Sequence, residues 1–198
     1  YHGTSLDQIL NLVSDLRSET DIPITLMGYY NPIFQMGVEG FCQRAMEVGA
    51  DGIIIVDLPP EEAEALLEAV SDCDLATIFL VAPTSTSNRI VRIAELSKGF
   101  IYCVSVTGVT GVRNVISDEV RSMVTEIRKH TGKPICVGFG VSTPDQAKRV
   151  AQIADGVIVG SAIVKVIEEN LDDESAMLLN VKRFAEGLAK SVKEITVP

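Results

Sequence analysis

"KPICVGFGVSTPDQAKRVAQIADGVIVGSAIVK", Lys133 to Lys165, contains two strand-to-helix units in succession. Its apolar runs are rich in Ile and Val and lack polar alternation, which predicts parallel strands covered on both faces. Each run closes on glycine: Gly138 and Gly140 flank Phe139, and Gly160 precedes Ser161. "STPDQ" reads as an N-cap followed by Pro144 at the first helical position. Gly160 and Ser161 open a short helix whose free N–H groups point at whatever sits above the strand ends. One glycine at such a turn ordinarily means tight packing. Two glycine turns on consecutive final strands predict a phosphate cradle built from backbone donors.

Outward from that stretch the same rhythm repeats. Apolar runs stand at "PITLMGYY" from Pro23, "DGIIIVDLP" from Asp51, "LATIFLVAP" from Leu75 and "GFIYCVSV" from Gly99, which with the final two make six strands. Amphipathic helices are predicted over Gly37 to Val48, Pro60 to Val70, Ser87 to Leu96, Asp118 to His130 and Pro144 to Ile153. An opening helix is capped by Thr4 or Ser5, and a closing helix runs from about Glu174 to Lys193. Strands alternating with helices mean a parallel sheet. No GxGxxG follows an early strand, and the glycine turns lie on the last two strands, where β/α barrels bind phosphate. The expected fold is therefore a (β/α)8 TIM barrel as a single domain over 1–198. Six of its eight strands are present, and a strand-helix-strand segment at the N-terminal side is absent.

The composition, with 46% apolar and 22% charged residues and a net charge of −10, fits an α/β protein and disfavours nucleic acid as a partner. No apolar run approaches the ~18 residues of a membrane helix. Cys42, Cys73, Cys103 and Cys136 are widely spaced with no Cys-x-x-Cys and no His cluster, so they read as inert thiols of a reducing, cytoplasmic compartment, and no metal site is expected.

"SVTGVTGVRN", Ser105 to Asn114, has more glycine and hydroxyl than a connection needs. Gly108 and Gly111 allow it to fold over the strand ends as a lid, with the Thr107 and Thr110 hydroxyls turned to a ligand or a carboxylate. Groups for acid–base or imine chemistry are missing from strand ends: Lys98 and Lys133 precede strands, Lys165 lies in a helix, and His130 ends one. Tyr29 and Tyr102 can orient a proton acceptor but are poor bases. Asp57, in "IVDLPPEE", is the carboxylate at a strand end; closing a turn before Pro59 and Pro60 and serving a function are both open to it.

The stretches "MGYYNPIFQMGVEGF", "ADGIIIVDLPPEE", "FIYCVSVTGVTGVR", "VGFGVSTPDQ" and "ADGVIVGSAIVK", in this order, resemble the tryptophan synthase α subunit family over nearly all of the chain. The resemblance implies an eight-stranded barrel of which this chain holds family strands 3 to 8. It implies retro-aldol cleavage of indole-3-glycerol phosphate to indole and glyceraldehyde 3-phosphate. The implied partner is a pyridoxal-phosphate-bearing β subunit in an αββα complex, with no cofactor in this subunit. It places the phosphate at Gly111, Gly138, Gly140, Gly160 and Ser161. The indole ring falls among Met27, Ile54, Val56, Leu80, Tyr102, Phe139 and Ile158. Thr110 and Tyr102 become supporting residues. Tyr29, Asn31, Asp57 and Pro59 lie at or near the face that meets the β subunit. The family's catalytic glutamate and aspartate belong to a pattern like E-x-G-x-P-x-S-D-P that nothing in these residues matches, so both are expected upstream and the chain alone is expected to be inactive. The competing readings are a noncatalytic module that binds and activates a β subunit, and a sugar-phosphate isomerase or epimerase; the latter lacks strand-end His or Lys residues.

Overall fold

A computed structural model describes residues 3–71, 73–104, 118–138 and 140–194. The chain divides into two compact units, 1–80 with 92–101 and 81–91 with 102–198. The first unit opens on α1 (Leu6–Arg17), whose N-cap Ser5 accepts from the Gln8 N–H while the Gln8 side chain returns to the Ser5 N–H, a closed capping box. Strand β1 (Thr25–Gly28), helices α2 (Tyr30–Met36) and α3 (Val38–Glu47), strand β2 (Gly52–Ile55), a 3₁₀ turn (Pro60–Glu62), helix α4 (Glu64–Ala69) and strand β3 (Ala76–Ile78) follow. These strands form a three-stranded parallel sheet in the order β1-β2-β3, with Met27, Ile54 and Ile78 in register across it. Its core is built on Leu10, Phe41, Ile53 and Leu75, all within 2% of full burial.

Strand β4 (Leu80–Val81) begins a second sheet, ordered β4-β5-β6-β7, with β5 (Ile101–Val104), β6 (Ile135–Gly138) and β7 (Gly156–Ile158). Helix α5 (Ser87–Leu96) precedes β5, while α6 (Asp118–Arg128), α7 (Pro144–Ala151), α8 (Ser161–Glu168) and α9 (Glu174–Lys193) belong to the second unit. Val120, Ile127, Ile135, Val137 and Val150 fill its core. Helix α7 starts as its sequence predicts, with Thr143 as N-cap, Pro144 in the first turn and a capping box to Gln146.

Two runs fold differently from expectation. "LATIFLVAP" is not one strand but two, so the described residues hold seven strands where six were expected. The break falls at Phe79, whose N–H donates to Ser97 Oγ at 3.2 Å and so leaves the ladder. "PITLMGYY" stops at Gly28, and Tyr30 begins α2. Pro32 sits in that helix's first turn, where its missing N–H removes no intrahelical bond.

A small device recurs once in each sheet, between β1 and β2 and between β6 and β7. In "RSETDIPI" (17–24) and "RKHTGKPI" (128–135) an Arg, a Thr and a Pro-Ile pair stand at the same spacing, and each segment is answered by an Ala-Asp-Gly on the neighbouring strand. The N–H of Asp51 donates to the Ile24 carbonyl at 2.8 Å, while Asp51 Oδ2 accepts from the Ile24 N–H at 2.7 Å and from Arg17 Nη2. Asp155 repeats the arrangement with Ile135, at 2.9 and 2.8 Å, and with Arg128 Nη2 at 2.7 Å. Both threonines close a turn onto the backbone two residues on, Thr20 onto the Ile22 N–H and Thr131 onto the Lys133 N–H. Gly49 completes the first clamp: its φ is +89°, its carbonyl accepts from Arg17, and a Cβ there would meet Arg17 Cγ at 2.8 Å.

Partial burial raises the Asp155 carboxyl, but the hydrogen bond and charge of Arg128 and the Ile135 N–H together outweigh it and hold the group below its ordinary value. A depressed carboxylate adds stability that is complete above the unfolded value, about 3.9, and is lost as pH falls through the lower folded one. Asp155→Asn keeps the acceptor for Ile135 and should lose less than about 1 kcal/mol at pH 7, because the ion pair is partly exposed. Asp155→Ala leaves that N–H unpaired and should lose about 1–2 kcal/mol. Urea midpoints at pH 7 and pH 3 check this; the gap between Asp155→Asn and the unsubstituted chain should narrow at the lower pH.

Candidate functional site

The register Cys136↔Gly156, Val137↔Val157, Gly138↔Ile158 brings the ends of β6 and β7 level, so the turns carrying Gly140 and Gly160 leave the sheet at the same edge. Gly140 has φ +60°, a left-handed conformation that glycine adopts without strain. Gly160 is the N-cap of α8, where a side chain that could satisfy the first-turn N–H groups is absent. Among the described residues, a Cβ at either glycine would meet no atom within 4 Å. Gly160 and Ser161 are exposed. The result is a pair of backbone turns and a helix N-terminus with free donors, suited to an anion.

Gly138, assigned by resemblance to the phosphate, has a steric role of its own. A Cβ there would sit 2.6 Å from the Tyr102 hydroxyl and 2.8 Å from its ring. The Tyr102 side chain from β5 therefore lies across Gly138, in the row that Ile158 continues on β7. Tyr102 is 9% exposed, and burial pushes its hydroxyl above the ordinary value, so it stays protonated near neutrality and acts as a donor rather than a base. Val157 and Val159 line a groove of about 370 Å³ with Ala147, Leu188 and Val192, which puts Ile158 on the opposite face. Thr110, Gly111 and Phe139 lie outside the described residues, as does the whole stretch 105–117.

In the first unit, Met27 and Ile54 share one face of the sheet, and Val56 follows Ile54 on the same side. Ile54 is buried, Met27 is exposed, and Val56 and Leu80 are half-buried. Tyr29 and Asn31 are exposed at the start of α2, and Pro59 is the half-buried N-cap of the 3₁₀ turn. Sequence reasoning left Asp57 between a turn closure and a functional role. In the structure its Oδ1 accepts from the Tyr30 N–H at 2.8 Å, so it caps a helix on a neighbouring element.

The thiols fit the inert reading. Burial pushes Cys103 up to about 12 and Cys136 to about 11, the latter with help from Asp155. Burial, then Cys73 and Glu39, raise Cys42 to about 11. Thiolate, the reactive form, is therefore scarce at these three positions. Lys165 pairs with Glu169 on the surface of α8, and His130 lies 3.2 Å from Glu126 at the end of α6. No group of His, Cys, Asp or Glu among the described residues is placed to hold a metal ion, and no described helix is long and apolar enough to cross a membrane.

Comparison with known proteins gives one consistent result. The family model for the tryptophan synthase alpha chain matches residues 1–193. A tryptophan synthase alpha chain from Geotalea uraniireducens is 54% identical over 172 residues, 87% of this chain and 64% of the relative. One from Geobacter sulfurreducens is 48% identical over 189 residues, 93% of this chain and 72% of the relative. The chain thus spans less than two thirds of the length of the Geotalea protein. Among solved structures, an alpha chain from Legionella pneumophila superposes with a TM-score of 0.89 at 33% identity, covering 100% of this chain and 73% of that one. A chain from the tryptophan synthase α2β2 complex of Pyrococcus furiosus gives 0.86 at 34% identity, covering 95% and 75%.

The Tyr102–Gly138 contact yields a test. Gly138→Ala should destabilise the chain by about 1–3 kcal/mol, since the added methyl has no room beside the ring. Pairing it with Tyr102→Ala should recover part of that loss, a coupling that a double-mutant cycle of urea midpoints reads directly.

Proposed function

The chain belongs to the tryptophan synthase alpha chain family, and from that membership we propose that it forms the larger part of a β/α barrel that cleaves indole-3-glycerol phosphate to indole and glyceraldehyde 3-phosphate. The observation that carries this reading is the level pair of glycine turns at β6 and β7, with α8 opening at Ser161 where no described atom lies within 4 Å of a Cβ added at Gly160. A phosphate fits there without a cationic side chain, which suits a chain of net charge −10.

The reaction breaks a carbon–carbon bond once indole C3 is protonated and the glycerol hydroxyl loses its proton, so it needs two positioned acid–base groups. We assign both to carboxylates outside these 198 residues. The residues present hold and orient: backbone N–H groups around Gly111, Gly140, Gly160 and Ser161 take the phosphate, and Thr110 steadies the assisting aspartate. The apolar residues assigned to the indole ring enter by their chemistry alone: Met27, Ile54, Val56 and Leu80, with Tyr102, Phe139 and Ile158. The proposal extends to a cytoplasmic location and to a β-subunit partner that carries pyridoxal phosphate, with Tyr29, Asn31, Asp57 and Pro59 at or near the face it meets.

One observation favours a second reading. Asp57, the strand-end carboxylate, is engaged by the Tyr30 N–H, and a noncatalytic module that binds and activates a β subunit needs no acid–base pair.

Purified residues 1–198 mixed with indole-3-glycerol phosphate should release no measurable indole; clear turnover would place the acid–base pair inside the chain. Gly160→Asp sets a negative charge at the start of α8 and should weaken glyceraldehyde 3-phosphate binding at least about tenfold by calorimetry. Unchanged affinity would remove the cradle from the proposal.

A further inference from the structure

We propose that Asn170 and Asn180 are positioning residues for the phosphate cradle: their side-chain amides pair across the turn between α8 and α9 and so fix the direction in which the first-turn N–H groups of α8 point. This rests on the cradle reading above. A helix start acts on an anion along its own axis, so α8 serves there only if its direction is held. Its N-terminal end does not hold it, because the N-cap Gly160 has no side chain to give. The helix has eight residues, too few to persist alone. The tie lies at its other end.

All four polar groups of Asn170 are engaged there. Its N–H donates to the Ile167 carbonyl at 3.0 Å and its Nδ2 to the Val166 carbonyl at 2.8 Å, both in the last turn of α8, where partners within the helix run out. Its carbonyl accepts from the Asp173 N–H at 3.1 Å, and the Asp173 carboxylate caps α9 through the Ala176 N–H at 2.9 Å. Its Oδ1 accepts from Asn180 Nδ2, in the second turn of α9, at 2.8 Å. The orientation of the Asn170 amide is not free: a carbonyl can only accept, so Nδ2 faces Val166 and Oδ1 is left for Asn180. One residue therefore ends α8, joins the cap of α9 and is held by a side chain of α9. Helix α9, twenty residues long and buried at Leu188 and Ser191, also packs on α7, the helix that follows the Gly140 turn. Both turns of the cradle are thereby referred to one frame.

Variants of the whole chain test this by hydrogen exchange and by calorimetry with glyceraldehyde 3-phosphate. Asn180→Ala should exchange the α8 amides about fivefold faster, the size of one hydrogen bond, and weaken binding by a similar factor. Asn170→Ala also strips the Val166 carbonyl of its side-chain donor and should weaken binding about tenfold. The double variant should lose no more than Asn170→Ala does, because the two amides act as a pair. Ile127→Val, a truncation in the α6 core of comparable cost to stability, should leave binding unchanged. Additive losses in the double variant, or unchanged α8 exchange in Asn180→Ala, would overturn the pairing. Faster exchange with unchanged binding, or an equal loss of binding in Ile127→Val, would overturn the positioning role. If the unsubstituted chain does not bind glyceraldehyde 3-phosphate, the cradle reading falls and the link to phosphate with it, while the exchange measurement still decides whether the pair holds α8.

Discussion

Short parallel strands have little to hold them in register, and in this chain the aspartate at the start of β2 and of β7 does that work. Strands β2 and β7 are four and three residues long, so each ladder offers few rungs, and a slip of one residue would exchange its faces. Asp51 and Asp155 each grip one Ile of the adjacent strand twice, through their own N–H and through the carboxylate, and an Arg from the preceding helix end fixes the carboxylate in turn. With that register set, Met27 and Ile54 share a face, Asp57 comes level with the Tyr30 N–H, and the glycine turns of β6 and β7 leave at one edge.

The sequence made the periodic parts legible. Helices α5 and α9 fall where the apolar spacing puts them, and the Thr143–Pro144 and Gly160–Ser161 helix starts are readable from local chemistry. The rest depended on groups distant along the chain. Nothing within "LATIFLVAP" announces a break at Phe79, because the hydroxyl that takes its N–H belongs to Ser97. "GYY" reads as the tail of the run "PITLMGYY" until Asp57 is known to cap the helix that begins at Tyr30. The clamps did leave a signal, the recurrence of Ala-Asp-Gly after matching Arg, Thr and Pro-Ile residues, but it appears only when two segments far apart are laid side by side.

For an acidic chain proposed to receive an anion, the second unit offers backbone donors in place of cationic side chains. Amide N–H groups at a helix start carry fixed partial positive charge that neither titrates nor reorients, and glycine lets a ligand approach them closely. Gly160 and Ser161 meet that description, and Gly140 adds a left-handed turn beside them. Gly138 differs: its bare Cα serves Tyr102. Adjacent glycines in one sequence motif thus answer to different constraints, one set by a left-handed turn and one by a neighbouring ring.

The clamp also says something about descent. It needs an Arg at a helix end, a Thr turn, a Pro-Ile strand start and an Asp on the next strand, and both sheets hold all four. Copying such a set once is simpler than assembling it twice, which makes the two segments look like duplicates of one ancestral strand-helix-strand unit. Aligned on their aspartates, "DGIIIVD" and "DGVIVGS" share an apolar run and end differently, Val56-Asp57 against Gly160-Ser161. The Asp57 carboxylate steadies a helix on a neighbouring element, while Ser161 places a small hydroxyl at the start of α8.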